Sequence, residues 1–474
     1  MKAATSGEPD VIVVGGGIGG LSAAFALTRK GLRVRVLERA REFGEVGAGI
    51  QIAPNCTRIL NAYGLLAEAR RLGVLPEQMV MKDATDGTVL TSLDLRDMER
   101  RYGTPYMVIH RCDLHGLFLR ACQEAGVDLR TSQHVTEYET SAGAAGARVR
   151  LAGGGTQQAR LVVAADGLHS VARGQLVGDE PVNSAYVAYR GAVPIEKVRE
   201  NNVSETDVVV YIGPRCHFVQ YPLRGGEMFN QVAVFESVKA KAGEAEWGTP
   251  DELDTAFAGM TGNIQLGLPL MWRDRCWRMF DRDPIMTWVY GRVALLGDAA
   301  HPPLQYIAQG AIMAIEDGYV LAEHLAANPA DVDRALAAYQ TVRTEHCRRV
   351  LLTSRAWGEL WHLDGEKRAR RNEILRARDP RDYSFVDWLY SVTARMPSEE
   401  PAMFKVIPLD MPASVAPGPA GSASRPSPST TVKASARLRT PSLRNRPVWM
   451  FSTVFGDIPS ARAVCRIEYP RATE

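Results

Sequence analysis

Three glycines near the start of the chain have a spacing that could bind phosphate. Gly15-x-Gly17-x-x-Gly20 follows a β-branched run and opens a segment with helical spacing, and Glu38 ends the next predicted strand. Glycine permits the tight turn and a close approach by a pyrophosphate, while the helix start supplies free N–H groups and partial positive charge. A carboxylate such as Glu38 can accept hydrogen bonds from a ribose diol. The pattern predicts a dinucleotide site but does not distinguish FAD from NAD.

Two later segments place an aspartate beside a glycine after an apolar run. They are Ala164–Arg173 (AADGLHSVAR) and Leu295–Pro302 (LLGDAAHP), and their aspartates are Asp166 and Asp298. With the glycine motif, and in this order, they resemble the single-component FAD-dependent aromatic hydroxylases, which are flavoprotein monooxygenases. The resemblance covers residues 10 to about 320. It implies one non-covalently bound FAD per chain, NADH rather than NADPH as the reductant, and O2 as the oxidant.

The resemblance also assigns cofactor-binding positions. Glu38 would bind the adenosine ribose, and Asp298 would bind the ribityl hydroxyls of FAD. Arg39, Gln51 and Arg111 would lie near the cofactor, although each could instead be a surface or salt-bridge residue. The full predicted set is Gly15, Gly17, Ile18, Gly20, Glu38, Arg39, Gln51, Arg111, Asp166, Asp298, Gly310 and Ala311.

One departure from the family pattern indicates a branch. Many members have a proline four residues after the histidine of the Gly-Asp segment, where this chain has Gln305. Within the family, the chain is most similar to the branch that converts 3-hydroxybenzoate to gentisate. In that branch the positions of Tyr106, His217, Tyr221 and Gln305 line the substrate pocket.

The chemistry of the family gives these four residues roles. A flavin C4a-hydroperoxide delivers an electrophilic oxygen, and a phenolate ring reacts with it more readily than a phenol. His217 is predicted as the base or hydrogen-bond partner because an imidazole titrates near neutral pH. Gln305 would orient the substrate hydroxyl, and Tyr106 and Tyr221 would bond the carboxylate or hydroxyl. Each of the four could instead be an ordinary packing residue or, for Gln305, a cap on the flavin loop.

Other functions have less support. Within the same fold, the alternatives are a salicylate 1-hydroxylase or a hydroxylase of another phenolic or heteroaromatic ring, and a non-catalytic FAD-binding protein remains open. No short-spaced cysteine pair supports dithiol exchange, and no Gly-x-Ser-x-Gly supports a hydrolase. His110, Asp113 and His115 do not form a recognised metal-ligand pattern, so no metal is predicted. The arginine-rich segment 367–378 favours a solvated or interface face over a nucleic-acid site.

The elements that must position these residues predict an α/β fold. A Rossmann-like FAD-binding domain with glutathione-reductase-like topology is interwoven with a mostly antiparallel β-sheet substrate domain and followed by C-terminal helices. The predicted parts are 8–182 and 291–365 for the FAD-binding domain, 183–290 with a contribution from about 75–108 for the substrate domain, 366–410 for the helical region, and 411–474 for a low-complexity flexible tail.

Composition sets broader limits. The 474 residues carry a net charge of +2, which argues weakly against a nucleic-acid binder. Residues 411–474 hold nine basic and three acidic residues, so the preceding part is mildly acidic at −4. Seven cysteines without a short-spaced pair favour reduced thiols and a cytoplasmic location, and no apolar run is long enough to span a membrane. A small aromatic acid is the expected partner, and a homodimer is left open.

Overall fold

Eighteen strands are present in the part of the chain that the computed structural model describes, which is residues 8–44, 47–140, 145–201 and 203–391. The predicted tail at 411–474 and the end of the predicted helical region lie outside it. The strands are β1 (Val11–Val14), β2 (Val34–Leu37), β3 (Gly49–Ile52), β4 (Gln78–Asp83), β5 (Val89–Asp94), β6 (Met107–His110), β7 (Asp128–Arg130), β8 (Val135–Glu139), β9 (Ala147–Leu151), β10 (Thr156–Ala159), β11 (Leu161–Ala164), β12 (Val182–Pro194), β13 (Val208–Gly213), β14 (Cys216–Leu223), β15 (Met228–Glu236), β16 (Trp277–Asp281), β17 (Val289–Tyr290) and β18 (Val293–Leu295).

Helices connect and cover these strands. The α-helices are α1 (Ile18–Arg29), α2 (Pro54–Ala62), α3 (Leu66–Leu72), α4 (Met98–Tyr102), α5 (Arg111–Ala125), α6 (Val171–Leu176), α7 (Val238–Lys241), α8 (Pro250–Phe257), α9 (Gly262–Gly267), α10 (Gly310–Ala327), α11 (Val332–Trp361), α12 (Gly365–Arg376) and α13 (Asp387–Tyr390). The helical spacing predicted for residues 311–363 is confirmed as α10 and α11.

A parallel sheet forms the first half of the fold. Its strand order is β17-β18-β11-β1-β2-β7, and every neighbouring pair from β18 to β7 is parallel. All residues of β1 and β11 are buried, as expected for strands covered on both faces. Helix α1 connects β1 to β2, and a three-stranded antiparallel sheet of β8, β9 and β10 precedes β11. The predicted Rossmann-like topology is confirmed.

A seven-stranded sheet forms the second half. Its order is β16-β12-β15-β14-β13-β4-β5, with one parallel pair, β13 and β4, among antiparallel ones. The predicted mostly antiparallel sheet is therefore confirmed, and β4 and β5 join it from residues 78–94. The domain boundaries themselves stay predictions.

Alternation along the strands gives this sheet two unlike faces. Because successive side chains point to opposite faces, Phe218 and Phe235 face one side together with Tyr189. That side packs on Phe257 in α8 and forms an apolar core. The alternate residues of these strands, including His217 on β14, face the other side of the sheet. Because the core takes one set of side chains, only the other set can line a binding site.

The arginine-rich helix α12, predicted to have a solvated or interface face, has exposed residues on one side and buried residues on the other. Arg371 is fully buried and donates to the carbonyl oxygen of Trp361 at 2.7 Å. Arg368 pairs with the buried carboxylate of Asp83 at the end of β4, and Asn372 donates to the same carboxylate at 2.6 Å. One side of α12 therefore packs against the rest of the chain, because Arg368 and Asn372 bind the Asp83 carboxylate.

Candidate active site

The glycine turn between β1 and α1 has a shape that requires glycine. Gly15 has a φ of +108°, and a Cβ on it would lie 2.2 Å from the carbonyl oxygen of Ala165. A Cβ on Gly20 would lie 1.9 Å from the carbonyl oxygen of Gly15, so helix and turn meet backbone to backbone. The backbone N–H of Gly16 donates to Glu38 Oε2 at 2.7 Å. The predicted nucleotide residues therefore meet at one end of β1.

The first turn of α1 is suited to an anion. The helix begins at Ile18, and Gly17 before it supplies no side-chain cap. Its first turn also contains no acidic residue, so its N–H groups and the positive end of the helix dipole face the glycine turn. His115, on α5, lies with Nε2 2.8 Å from the carbonyl oxygen of Gly16 and supports the turn from behind.

A second cradle lies between β18 and α10. Gly297 starts its first turn with a φ of +62°, and the Asp298 side chain beside it is exposed. Ala308 takes a φ of +54° just before α10, which begins with Gly310 and Ala311 and has no side-chain cap at its N-terminus. The cradle thus offers a carboxylate and a helix start to one bound molecule.

An ion-pair network, consisting of His301, Glu316, Asp317 and Arg343, holds this cradle from within the core. Asp317 accepts from the backbone N–H of Gly297 at 3.0 Å, from His301 Nε2 at 2.5 Å and from Arg343 Nε at 2.7 Å. Arg343 also pairs with Glu316 at 2.8 Å, and all four side chains are buried. The network therefore fixes the turn that carries Asp298.

Charge pairing decides the ionisation of this network. Burial opposes ionisation of both carboxyls, yet the charge of Arg343 lowers the pKa of Glu316 to about 2. His301 and Arg343 likewise lower the pKa of Asp317 to about 2, against the effect of burial. The same contact raises the pKa of His301 well above its usual range, although burial alone would lower it. The network is charged at neutral pH.

Asp166 has one oxygen that lacks a partner. Its Oδ2 accepts from the backbone N–H of Val171 at 2.9 Å and from the Tyr138 hydroxyl at 3.0 Å. Its Oδ1 is buried and has no hydrogen-bond partner within the described residues. A buried acceptor without a partner costs about 1–3 kcal/mol, so this oxygen marks a position where a bound group can donate. Arg173 links this segment to the second cradle by donating to the carbonyl oxygen of Ala300 at 2.6 Å.

These features fit FAD. The α1 turn suits its pyrophosphate, Glu38 its ribose, and the second cradle its ribityl chain and ring. Arg39 is exposed, whereas Gln51 and Arg111 are half-buried. The individual roles assigned to the predicted cofactor residues stay predictions.

Two of the four substrate candidates lie on the face of the seven-stranded sheet that is opposite the apolar core. His217 and Tyr221 are four residues apart on β14 and face the same side. The strand register places Arg190 of β12 on that side as well. His217 and Tyr221 are 1% and 3% exposed, respectively. Asn230, opposite Tyr221, accepts from the backbone N–H of Gly49 at 2.7 Å and ties β3 to this face.

Four side chains form a continuous hydrogen-bonded line, here called the pocket chain: Arg190, Gln305, His217 and His362. Arg190 Nη2 donates to Gln305 Oε1 at 3.4 Å, and Gln305 Nε2 lies 3.4 Å from His217 Nε2. His217 Nδ1 lies 2.8 Å from His362 Nε2. The predicted pair Gln305 and His217 is thus brought together from two halves of the fold, with two partners that the prediction did not include.

The expectation that His217 titrates near neutral pH is wrong for this site. Burial lowers the pKa of His217 to about 3, because the ring is desolvated and no carboxylate of the described residues is bonded to it. Tyr306 and Trp361 lie against the ring, at centroid distances of 5.4 and 5.1 Å. The imidazole is therefore neutral at pH 7.

Tyr106 immediately precedes β6, which pairs with β3. Its hydroxyl donates to Gln51 Oε1, and its ring lies 6.3 Å from that of Tyr390 in α13. Burial raises the pKa of Tyr106 well above its usual range, so the phenol is neutral. Gln51, predicted to lie near the cofactor, thereby connects the predicted cofactor and substrate residues.

The histidines and aspartate considered as metal ligands have separate partners. His110 accepts from the backbone N–H of Cys112 at 3.3 Å, and Asp113 pairs with Arg224 at 2.9 Å. Elsewhere His301, Asp317 and Cys347 place one ligand atom each within 4.8 Å of one another. Arg343 supplies the positive charge at that position.

Sequence reasoning missed three residues that shape the site. His362 follows α11, 145 residues from its partner His217, and no motif surrounds it. Arg343 carries no local signal either, although an arginine among the apolar positions of α11 is unusual. Arg190 lies in no motif, and only the strand register shows that it faces the same side as His217.

Comparison with known proteins places the chain in a family. A model of the FAD binding domain matches residues 8–354. The 3-hydroxybenzoate 6-hydroxylase of Polaromonas naphthalenivorans (strain CJ2) is 40% identical over 385 residues, which cover 80% of this chain and 95% of that protein.

Solved structures agree. HpxO of Klebsiella pneumoniae, complexed with FAD and uric acid, has a TM-score of 0.70 at 26% identity and covers 80% of this chain and 95% of its own. A salicylate hydroxylase substrate complex has a TM-score of 0.67 at 26% identity and covers 82% and 97%. Among the described residues, no helix combines the length and hydropathy needed to cross a bilayer. The chain belongs to the FAD-binding family of flavin hydroxylases and is an FAD-dependent aromatic monooxygenase.

Proposed function

We propose that this enzyme hydroxylates 3-hydroxybenzoate at carbon 6 to give gentisate, with NADH as reductant and O2 as oxidant. The observation that carries the proposal is the contact between Gln305 and His217, which places an amide beside a neutral imidazole on the sheet face opposite the apolar core. Support comes from the relative that is named for this reaction and is 40% identical. One FAD per chain would be held without a covalent bond.

The pocket offers separate contacts to the two polar groups of this substrate. Tyr221 and the Arg190 guanidinium share one face of the sheet and can bind a carboxylate. His217 Nε2 and Gln305 can bind the ring hydroxyl. Tyr106 would contact the substrate from the other side of the pocket, next to Gln51.

A neutral His217 suits the task of accepting a hydrogen bond from the substrate hydroxyl. Its pKa of about 3 lies far below the value near 10 of a phenol, so complete proton transfer between isolated groups would cost roughly 10 kcal/mol. The charge of Arg190, which contacts Gln305, would offset part of this cost by stabilising negative charge on the phenol oxygen. The hydrogen bond to His217 and the positive charge of Arg190 would thus both increase the electron density of the substrate ring.

When bound, FAD supplies the electron transfer from NADH to O2 and the delivery of one oxygen atom to the ring. The residues of this chain would hold it at the α1 turn, at Glu38 and at Asp298. The six cysteines within the described residues are free thiols, which supports the proposed cytoplasmic location.

The experiment compares 3-hydroxybenzoate, salicylate and 4-hydroxybenzoate with the FAD-loaded enzyme under NADH and under NADPH. The expected result is NADH oxidation stimulated by 3-hydroxybenzoate, with gentisate formed in proportion. Catechol from salicylate as the main product would replace the proposal with salicylate 1-hydroxylation, which the likeness to a salicylate hydroxylase structure favours as second candidate. Yellow protein with no stimulated oxidation by any aromatic acid would leave a non-catalytic FAD-binding protein. Release of the flavin by acid precipitation checks the non-covalent attachment.

A further inference from the structure

The pocket chain has a direction, and Arg190 sets it. A guanidinium can only donate hydrogen bonds, so the Gln305 atom that contacts Arg190 must be the carbonyl oxygen Oε1. The amide nitrogen Nε2 of Gln305 then faces His217 Nε2 and can only donate to it. His217 Nε2 must therefore carry a lone pair and no hydrogen.

The direction continues through both imidazoles. A neutral imidazole carries one N–H, so a bare Nε2 places the hydrogen of His217 on Nδ1. This Nδ1–H lies 2.8 Å from His362 Nε2, which must accept it. The hydrogen of His362 is then on Nδ1, an atom that is buried without a hydrogen-bond partner within the described residues.

The surroundings keep both rings neutral and in place. His362 is stacked on the Tyr186 ring at a centroid distance of 4.6 Å and an interplanar angle of 18°. It lies nearly coplanar with the His217 ring, at 5.1 Å and 18°, as the bond between their ring nitrogens requires. Burial lowers the pKa of His362 well below its usual range, and the neighbouring charge of Arg371 adds to this effect. The carbonyl oxygen of His362 also accepts from the backbone N–H of Arg215 at 3.1 Å, and Arg215 immediately precedes β14.

We infer that His362 is a positioning residue that holds His217 in the Nδ1–H tautomer, so that Nε2 is a hydrogen-bond acceptor. The Gln305 amide occupies this acceptor in the structure, and the substrate hydroxyl would take the place of that N–H. The inference rests on the proposed function, because it gives the Nε2 lone pair its task. His362 accepts the Nδ1–H of His217 without carrying a charge. A carboxylate at the same position would instead favour a protonated, positively charged His217. Without the acceptor, His217 can carry its hydrogen on Nε2 instead. Nε2 is then a donor and can no longer accept a hydrogen bond from the substrate hydroxyl.

Two substitutions separate this role from packing. His362→Gln keeps an acceptor oxygen near the position of Nε2 but loses the stacked ring, whereas His362→Phe keeps the stacked ring and loses the acceptor. We expect His362→Phe to lower the rate of gentisate formation about 10–100-fold, the range seen when a partner that orients a histidine is removed, while its FAD content is unchanged. His362→Gln should recover most of that loss. The reverse order of the two variants would assign His362 to packing and overturn the inference.

The tautomer itself can be read without turnover. In FAD-loaded protein labelled with [15N]histidine, with His217→Gln used to assign the signal, His217 should show a protonated Nδ1 and an unprotonated Nε2. His362→Phe should shift the population toward Nε2–H. A protonated Nε2 in the unmodified enzyme would overturn the inference even if both variants fail to fold. If the enzyme makes no gentisate but shows the Nδ1–H tautomer, the proposed function fails and the assigned hydrogen-bond direction stands.

Discussion

Two buried clusters of polar side chains, the ion-pair network and the pocket chain, hold their histidines in opposite charge states. The ion-pair network surrounds Arg343 with two carboxylates and an imidazole, and all four members are ionised at neutral pH. The pocket chain contains two imidazoles that are as deeply buried but have no carboxylate beside them, so burial lowers the pKa of both. The same desolvation thus produces opposite ionisation states, depending on the partner.

The difference matches the place of each group. The ion-pair network lies behind the turn of Asp298, where a fixed backbone is needed and nothing has to titrate. The pocket chain lies among the predicted substrate residues, where its two imidazoles are neutral and its one cation, Arg190, contacts the Gln305 amide. In this enzyme, paired charge holds the scaffold, and we propose that the neutral imidazoles serve the chemistry.

The largest effect is expected from Arg343→Met. Removing the arginine leaves Glu316 and Asp317 as buried carboxylates without their cation, which should cost about 3–5 kcal/mol of unfolding free energy. The measurement is urea unfolding together with FAD retention. Arg348→Met is the matched control on the same helix, because its exposed pair with Glu345 should contribute less than about 1 kcal/mol. Equal losses in both variants would contradict a scaffold role for the network.

Acid should destabilise the network next. A carboxylate whose pKa is lowered on folding stabilises the protein above its unfolded pKa and loses that stabilisation as pH falls through the folded value. For Glu316 and Asp317, both lowered to about 2, the stabilisation is present above about pH 4.5 and disappears toward pH 2. The contribution is on the order of 2–3 kcal/mol for each carboxylate. Melting temperatures measured from pH 6 to pH 3 should fall, and fall less steeply in Arg343→Met.

On the other side of the comparison, His217→Phe should reduce coupled hydroxylation about a hundredfold, because the acceptor for the substrate hydroxyl is lost. FAD content should stay near that of the unmodified enzyme, since His217 lies on the substrate sheet. The ratio of gentisate formed to NADH consumed is the measurement. Unchanged gentisate formation would remove His217 from the mechanism.

The smallest expected effect concerns the pH dependence of kcat/KM, in which His217 should produce no change between pH 5 and pH 8. With a pKa of about 3 in the free enzyme, His217 stays neutral from pH 5 to pH 8. Any fall of kcat/KM near pH 6.5 should therefore be the same in the unmodified enzyme and in His217→Gln. A fall at that position that is lost on substitution would show that His217 is charged by a partner outside the described contacts.

Motifs predicted the cofactor half of the site more completely than the substrate half. Gly15, Gly20 and Glu38 are close in sequence and their geometry follows from one β-turn-α-β unit. His362 could not be found in this way, because its contact with His217 depends on where a thirty-residue helix ends. The charge of His217 was predicted wrongly for a related reason, since residue type gives an ordinary pKa and only packing gives the burial.

The most direct test of the account is oxygen-isotope labelling during turnover. The FAD-loaded enzyme is supplied with 3-hydroxybenzoate, NADH and 18O2, and the product is identified by mass spectrometry. The account predicts gentisate carrying one 18O atom, formed in proportion to NADH consumed. Consumption of NADH that yields only labelled hydrogen peroxide, with 3-hydroxybenzoate recovered unchanged, would contradict it.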